Sequence, residues 1–140
     1  MKYNSKVTSS RRKCRKAHFT AGDAKRRTIM SSGLSKELRE VYTFKTFPVT
    51  TGDEVVVMEG DLKGKTGKVI KVNRAIYKIF LDISYREKKN GQVARFGVHP
   101  SSVRITRFSM EHGRDALLEK KKAARLACDE KKAAREEVVA

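Results

Sequence analysis

The sequence predicts a mainly β protein: a small closed barrel of five short strands, preceded by a basic N-terminal arm carrying short helices and followed by a C-terminal helix. Three observations carry this expectation. Apolar and polar residues alternate in short runs between Gly52 and Thr106, which is the period of half-buried strands. Charge is front-loaded: of a formal +17, residues 1–50 hold +10, residues 51–110 hold +6 and residues 111–140 hold +1. The end of the chain is rich in Ala, Leu, Lys and Glu, all good helix formers. The implied division is an arm over 1–50, a barrel over 51–108 and a helical tail over 109–140.

Within the first 30 residues ten are Lys or Arg, only Asp23 is acidic, and apolar residues are scattered without period. Such a block repels itself and cannot build a core, so it is expected to be extended or disordered until it meets a polyanion. Two local helix signals interrupt it. Thr20-Ala21-Gly22-Asp23 fits a capping box, with Thr20 as N-cap, ahead of Ala24 to Met30. That helix would place Lys25, Arg26 and Arg27 around more than half of its circumference. Ser35 can cap a second helix over Lys36 to Tyr42, with Leu34 and Leu38 meeting across the cap, and Pro48 stops any continuation.

The strands follow. Asp53 to Met58 is β-branched and bounded by Gly52 and Gly60; Lys68 to Val72 follows a glycine turn; Tyr77, Ile79, Leu81 and Ile83 occupy alternate positions. Asn90-Gly91 is a strong turn dipeptide, and Val93 to Val98 and Val103 to Thr106 make two more strands around His99-Pro100-Ser101. Five strands in roughly 55 residues, each too small to bury a face alone, favour closure into a barrel. In the tail, Asp115 with Lys120 and Asp129 with Lys132 offer intrahelical charge partners, but the apolar residues are small and few. A marginal helix, ordered mainly when docked, is expected.

Several function classes are disfavoured. No run of apolar residues approaches a membrane span, and no apolar block follows the first basic residues as a secretory signal would require. Cys14 and Cys128 read as two reduced thiols; Cys14-x-x-x-His18 alone lacks two further zinc ligands. Gly60-Asp61-Leu62-Lys63-Gly64-Lys65-Thr66 ends like a P-loop, but it has three residues between its glycines where four are needed, and a strand follows where a helix must open. Gly64-Lys65-Thr66-Gly67 matches the clamping loop of KH domains, which joins two helices. His18, His99 and His112 fall in different zones, and Asp53, Glu54, Glu59 and Asp61 read as exposed hairpin ends rather than a metal or acid–base pair. No enzyme and no cofactor is expected.

A charge of +17 asks for an anionic partner, either nucleic acid or an acidic membrane surface. A hairpin tip with Lys63, Lys65, Lys68 and three glycines can bring ammonium groups and unshielded backbone amides to phosphate, although it can equally be a solvated lysine turn. Lys88, Lys89 and Arg95 flank a second loop, and the arm adds Arg11, Arg12, Lys13, Arg15 and Lys16. Basic residues in every loop shift the balance to nucleic acid. With little aromatic interleaving in the arm beyond Tyr3 and Phe19, contact through backbone and shape should dominate over base stacking.

The run Gly52 to Val69, GDEVVVMEGDLKGKTGKV, resembles the KOW motif of small SH3-like barrels in ribosomal proteins and transcription elongation factors. Met1 to Asn4, Met30 to Arg39, Arg86 to Gly91, Gly97 to Ser101 and Ile105 to Arg107 narrow the resemblance. Together they are similar to the family of cytosolic large-subunit ribosomal proteins numbered twenty-six in eukaryotic and twenty-four in universal naming. The resemblance implies an SH3-like barrel and a structural role: binding the 5′ region of large-subunit rRNA, acting early in subunit assembly, and lying near the polypeptide exit tunnel. It implies that Lys63, Gly64, Lys65, Gly67 and the His99 loop face RNA, while the arm from Arg11 through Lys25, Arg26 and Arg27 threads between rRNA helices. Neighbouring large-subunit proteins are the implied protein partners, with no homo-oligomer and no membrane insertion. The implied location is the cytoplasmic ribosome, with passage through the nucleus or nucleolus in a eukaryote. Two rivals remain: a KOW module of a transcription elongation factor, disfavoured by a chain of 140 residues with no second domain, and a DNA-architectural protein. Residues 111–140, at +1, are expected to meet solvent or a protein neighbour rather than RNA.

Overall fold

The computed structural model describes residues 3, 4, 6–111 and 113–139. Met1, Lys2 and His112 therefore lie outside the described residues. In chain order the elements are α1 (Arg11–Phe19), α2 (Asp23–Ile29), β1 (Ser31–Leu34), α3 (Lys36–Tyr42), β2 (Thr46–Pro48), β3 (Glu54–Val57), β4 (Thr66–Asn73), β5 (Lys78–Leu81), β6 (Tyr85–Glu87), β7 (Val93–Arg95), a 3-10 turn (Pro100–Ser102), β8 (Val103–Arg107) and α4 (Arg114–Val139). Six strands form one sheet in the order β2-β1-β8-β3-β4-β5, and β6-β7 form a separate ribbon. Among the described residues all strand pairings are antiparallel except that of β1 with β8.

The sheet is the organising element, as the alternation predicts, but the molecule is mixed α/β and the barrel is not closed. β2 and β5 end the strand order, and beyond β5 the sheet continues only as an isolated antiparallel bridge between Ile79 and Val98, whose amides and carbonyls exchange hydrogen bonds at 2.9 and 2.8 Å. The extra strands come from residues expected in the arm. β1 turns Ser32 and Leu34 inward, and a serine facing a core hides the alternation that marks a strand. Ser32 is compatible with burial because its hydroxyl donates to the carbonyl of Pro100 at 2.6 Å. The sheet thus begins at Ser31, ahead of the expected boundary at residue 50.

Leu34, Val55, Val57, Val69, Ile79, Leu81, Val103 and Ile105 fill the core, each nearly inaccessible to water. Phe44, Phe47 and Phe108 extend it beneath the first turns of α4, with ring centroids 5.5–5.6 Å apart for the pairs that Phe47 makes. Ser35 caps α3 as expected, accepting from the Leu38 amide at 3.3 Å.

Two other expectations are corrected. Thr20 does not cap α2: it ends α1, its amide and hydroxyl both donating to the Lys16 carbonyl at 2.9 and 2.7 Å, and Gly22 precedes α2 without a side-chain cap. Asp53 is not an exposed hairpin end. It is fully buried, accepts from the amides of Thr50 and Ser109 at 2.9 Å each, and pairs through both oxygens with the buried Arg114 guanidinium. Arg114 also donates to the carbonyl of Pro48 at 2.9 Å and lies over the rings of Phe47 and Phe108. A turn further on, Leu118 is buried, and Lys121 donates to the Thr46 carbonyl at 2.6 Å above Phe44 and Phe47. The start of α4 is therefore bolted to the sheet, and among the described residues the intrahelical ion pair is Arg125 with Asp129 at 3.1 Å, in place of the expected Asp115–Lys120 and Asp129–Lys132 partners.

Candidate nucleic-acid interface

The glycine turn between β3 and β4 is a self-contained loop. Gly60 and Gly64 adopt φ of +91° and +82°, the left-handed region that favours glycine. The amides of Lys63, Gly64 and Lys65 donate to the carbonyls of Gly60, Val57 and Leu62 at 3.1, 2.8 and 3.0 Å. The amide of Lys68 donates to the Asp82 carboxylate at 2.9 Å. The expectation of unshielded amides is thus corrected: these donors are internally satisfied. What the loop presents are the exposed side chains of Lys63, Lys65 and Lys68. Gly67 also has an internal reason for being glycine, since a Cβ there would stand 2.5 Å from Asp82 Oδ1 and 2.9 Å from Ile83 Cγ1.

The second loop lies beside the first. Arg86 on β6 reaches Asp61 of the glycine turn at 3.4 Å, both side chains being largely exposed. In the β6–β7 turn Gly91 has φ +78° and the Lys88 amide donates to the Gln92 carbonyl at 2.9 Å. Lys88, Lys89 and Arg95 are exposed. Between ribbon and sheet runs a groove of about 380 Å³ lined by Lys78, Arg86, Lys88, Arg95, Phe96 and Asp61. The Arg86 guanidinium stands 5.8 Å from the centroid of the Phe96 ring. Sequence reasoning does not single out Lys78, Arg86 or Phe96: they lie on three separate segments, and only the folded ribbon brings them together.

Exposed His99 precedes the 3-10 turn, and its Nδ1 accepts from the Ser101 amide at 3.2 Å. The same nitrogen lies 2.7 Å from the Ser101 hydroxyl, so the ring is tied to its own turn through Nδ1.

The arm residues are divided by the fold. Arg11, Arg12, Lys13, Arg15 and Lys16 lie on α1, which buries no residue. Arg11 with Arg15 and Arg12 with Lys16 are like charges at i, i+4, which repel on an isolated helix. The helix is fixed at its C-terminal end to the turn between β4 and β5: His18 stacks on Tyr77 at 4.4 Å and its carbonyl accepts from the Tyr77 hydroxyl at 2.5 Å. Arg26 belongs to this joint rather than to a free surface. It donates to the carbonyls of Ala21, Phe19 and Arg74 at 2.7, 3.0 and 3.4 Å and lies over the Tyr77 ring. Arg27 lines a small pocket together with Thr50, Thr51, Glu111, Arg114 and Leu117, and Lys25 is exposed. Of Lys25, Arg26 and Arg27, Arg26 is thus the one held by backbone carbonyls.

Among the described residues no cluster of His, Cys, Asp and Glu could hold a metal ion, and no helix is long and apolar enough to cross a membrane. Cys14 and Cys128 are both free thiols and exposed.

Comparison with known proteins bears on what this basic surface meets. The chain is 46% identical over 125 residues to the large ribosomal subunit protein uL24 of Caenorhabditis elegans, covering 89% of this chain and 88% of that one. It is 46% identical over 121 residues to uL24 of Dictyostelium discoideum, covering 86% and 87%. With uL24 of Candida albicans it shares 43% over 120 residues, covering 86% and 94%. Residues 8–121, which run from ahead of α1 to the Lys121 contact on α4, match the model of one family. The chain belongs to that family, the eukaryotic L26 ribosomal proteins and their archaeal L24 counterparts.

Proposed function

We propose that this chain is a structural constituent of the large ribosomal subunit that binds the 5′ region of large-subunit rRNA, supports early subunit assembly and lies near the polypeptide exit tunnel. The observation that carries the reading is the exposed, lysine-bearing glycine turn set beside a cationic groove on a rigid sheet, in a chain of this family. Side-chain cations whose loop amides are already satisfied suit phosphate contacts that position RNA without reading bases. The exposed, self-repelling α1 gains stability wherever phosphate offsets its like charges. The Phe96 groove adds a place where an unpaired base can stack beside cations. The role is structural rather than catalytic. Its setting is the cytoplasmic ribosome, with nucleolar passage during assembly and neighbouring large-subunit proteins as contacts.

Co-sedimentation tests the reading. The chain should travel with large subunits and be stripped only by high salt, and changing Lys63, Lys65 and Lys68 together to Ala should weaken binding to a 5′ rRNA fragment without lowering the melting temperature. The logarithmic salt slope should become shallower by roughly 0.7 to 0.9 for each phosphate that the variant no longer neutralises. Unchanged binding would make the turn a solvated one. Equal displacement by duplex DNA at physiological salt would favour the DNA-architectural rival.

A further inference from the structure

Thr46, Gly33, Arg104, Val56 and Thr66 are successive neighbours across β2, β1, β8, β3 and β4. The adjacent row, Leu34, Ile105, Val55 and Gly67, carries core residues. Side chains alternate between faces along a strand, so the Gly33 row lies on the outer face, and Arg104 there is exposed. At Gly33 that face has no side chain. Two arginines close on the gap: Arg39 Nη2 stands 3.5 Å, and Arg104 Cγ 3.9 Å, from where a Cβ would be.

Arg39 comes from α3, whose position is fixed by the Ser35 cap and by the Ser35 amide donating to the Ile105 carbonyl at 2.9 Å. Its Nε is buried and has no hydrogen-bond partner. Neither Arg39 nor Arg104 makes an ion pair among the described residues. Glu37 and Glu40 lie two and one positions from Arg39, spacings that do not face it on a helix. The other buried orphan, Arg114 Nε, belongs to a guanidinium already neutralised by Asp53. No carboxylate among the described residues thus offsets the Arg39 charge, its Nη2 faces the Gly33 gap, and guanidinium presents the forked geometry that matches phosphate.

We infer that Arg39 and Arg104 form a notch that binds an RNA phosphodiester, with Gly33 bare so that the phosphate can approach the strand. The RNA source rests on the function proposed above; anion binding by the notch does not.

The test follows the arginine Nε–Hε resonances of the full chain during titration with inorganic phosphate and then with a single-stranded oligoribonucleotide. The Arg39 signal should shift saturably with both probes, and the Lys63, Lys65 and Lys68 triple variant should keep this response. Arg104→Gln should weaken it by about tenfold or more, the loss of one hydrogen bond to a charged group. Gly33→Val, which fills the gap with a strand-favouring residue, should weaken it without lowering the melting temperature. A response that never saturates and matches that of the α1 arginines would overturn the notch, as would saturation by phosphate without any by the oligoribonucleotide. If wild type and Arg39→Gln/Arg104→Gln bind rRNA alike, the notch fails while the ribosomal reading stands. Saturable binding of the oligoribonucleotide by a chain that does not travel with large subunits gives the reverse.

Discussion

At the scale of single residues, Asp53 and Arg114 decide more than any loop lysine. The carboxylate is fully buried and meets two amides and a guanidinium. Removing one partner of such a pair leaves an uncompensated buried charge, which costs about 3–5 kcal/mol. Asp53→Ala should therefore lower stability by that amount in denaturant titrations, and a loss below about 1 kcal/mol would contradict the account. Nothing local in the sequence marks this pair: Asp53 opens a valine run and Arg114 opens a polar helix, so their meeting is a tertiary fact. Lys121 is the related case on the same helix, where burial lowers its pKa below the ordinary lysine range. The folded chain then binds fewer protons than the unfolded one between the two values, so stability should rise with pH across that alkaline window. Lys121→Met should flatten this rise in thermal melts, and an unchanged profile would show that the ammonium is not the group involved.

At the scale of elements, those with local signals are legible in the sequence and those without are not. α3 can be placed because Ser35 and the Leu34–Leu38 pair are neighbours in sequence, and β3 to β5 because their apolar residues alternate. β1 and β2 escape because Ser32, Gly33 and Pro48 look like loop residues until Ser32 finds Pro100. The candidate site divides in the same way. Its exposed lysines follow from composition, whereas the satisfied amides of the glycine turn and the capture of Arg26 by carbonyls require the fold. α1 buries nothing and is held by Tyr77 and Arg26 near its end, so it sits at the low end of local stability. Its amides should exchange faster than those of β3 and β8, and Tyr77→Ala should speed them further while leaving β3 unaffected. Protection of α1 equal to that of β3 would count against this.

For the molecule as a whole, charge and rigidity are distributed oppositely. The helix α1, with five Lys or Arg among its nine residues, buries nothing, while the sheet and the start of α4 hold the core. Association with polyanion should therefore be strongly salt-dependent, log affinity falling linearly with log salt; affinity indifferent to salt would exclude every nucleic-acid reading. The one parallel pairing, Gly33 with Arg104 and Leu34 with Ile105, sets the timetable of biogenesis. β1 leaves the ribosome early, yet both its neighbour β8 and the Arg114 bolt are synthesised much later. Contacts that span most of a chain form slowly because the intervening loop must first be closed. While it waits, the nascent N-terminal segment is a cationic chain without its sheet, and a fragment ending before β8 should remain soluble only if an anion or a chaperone accompanies it.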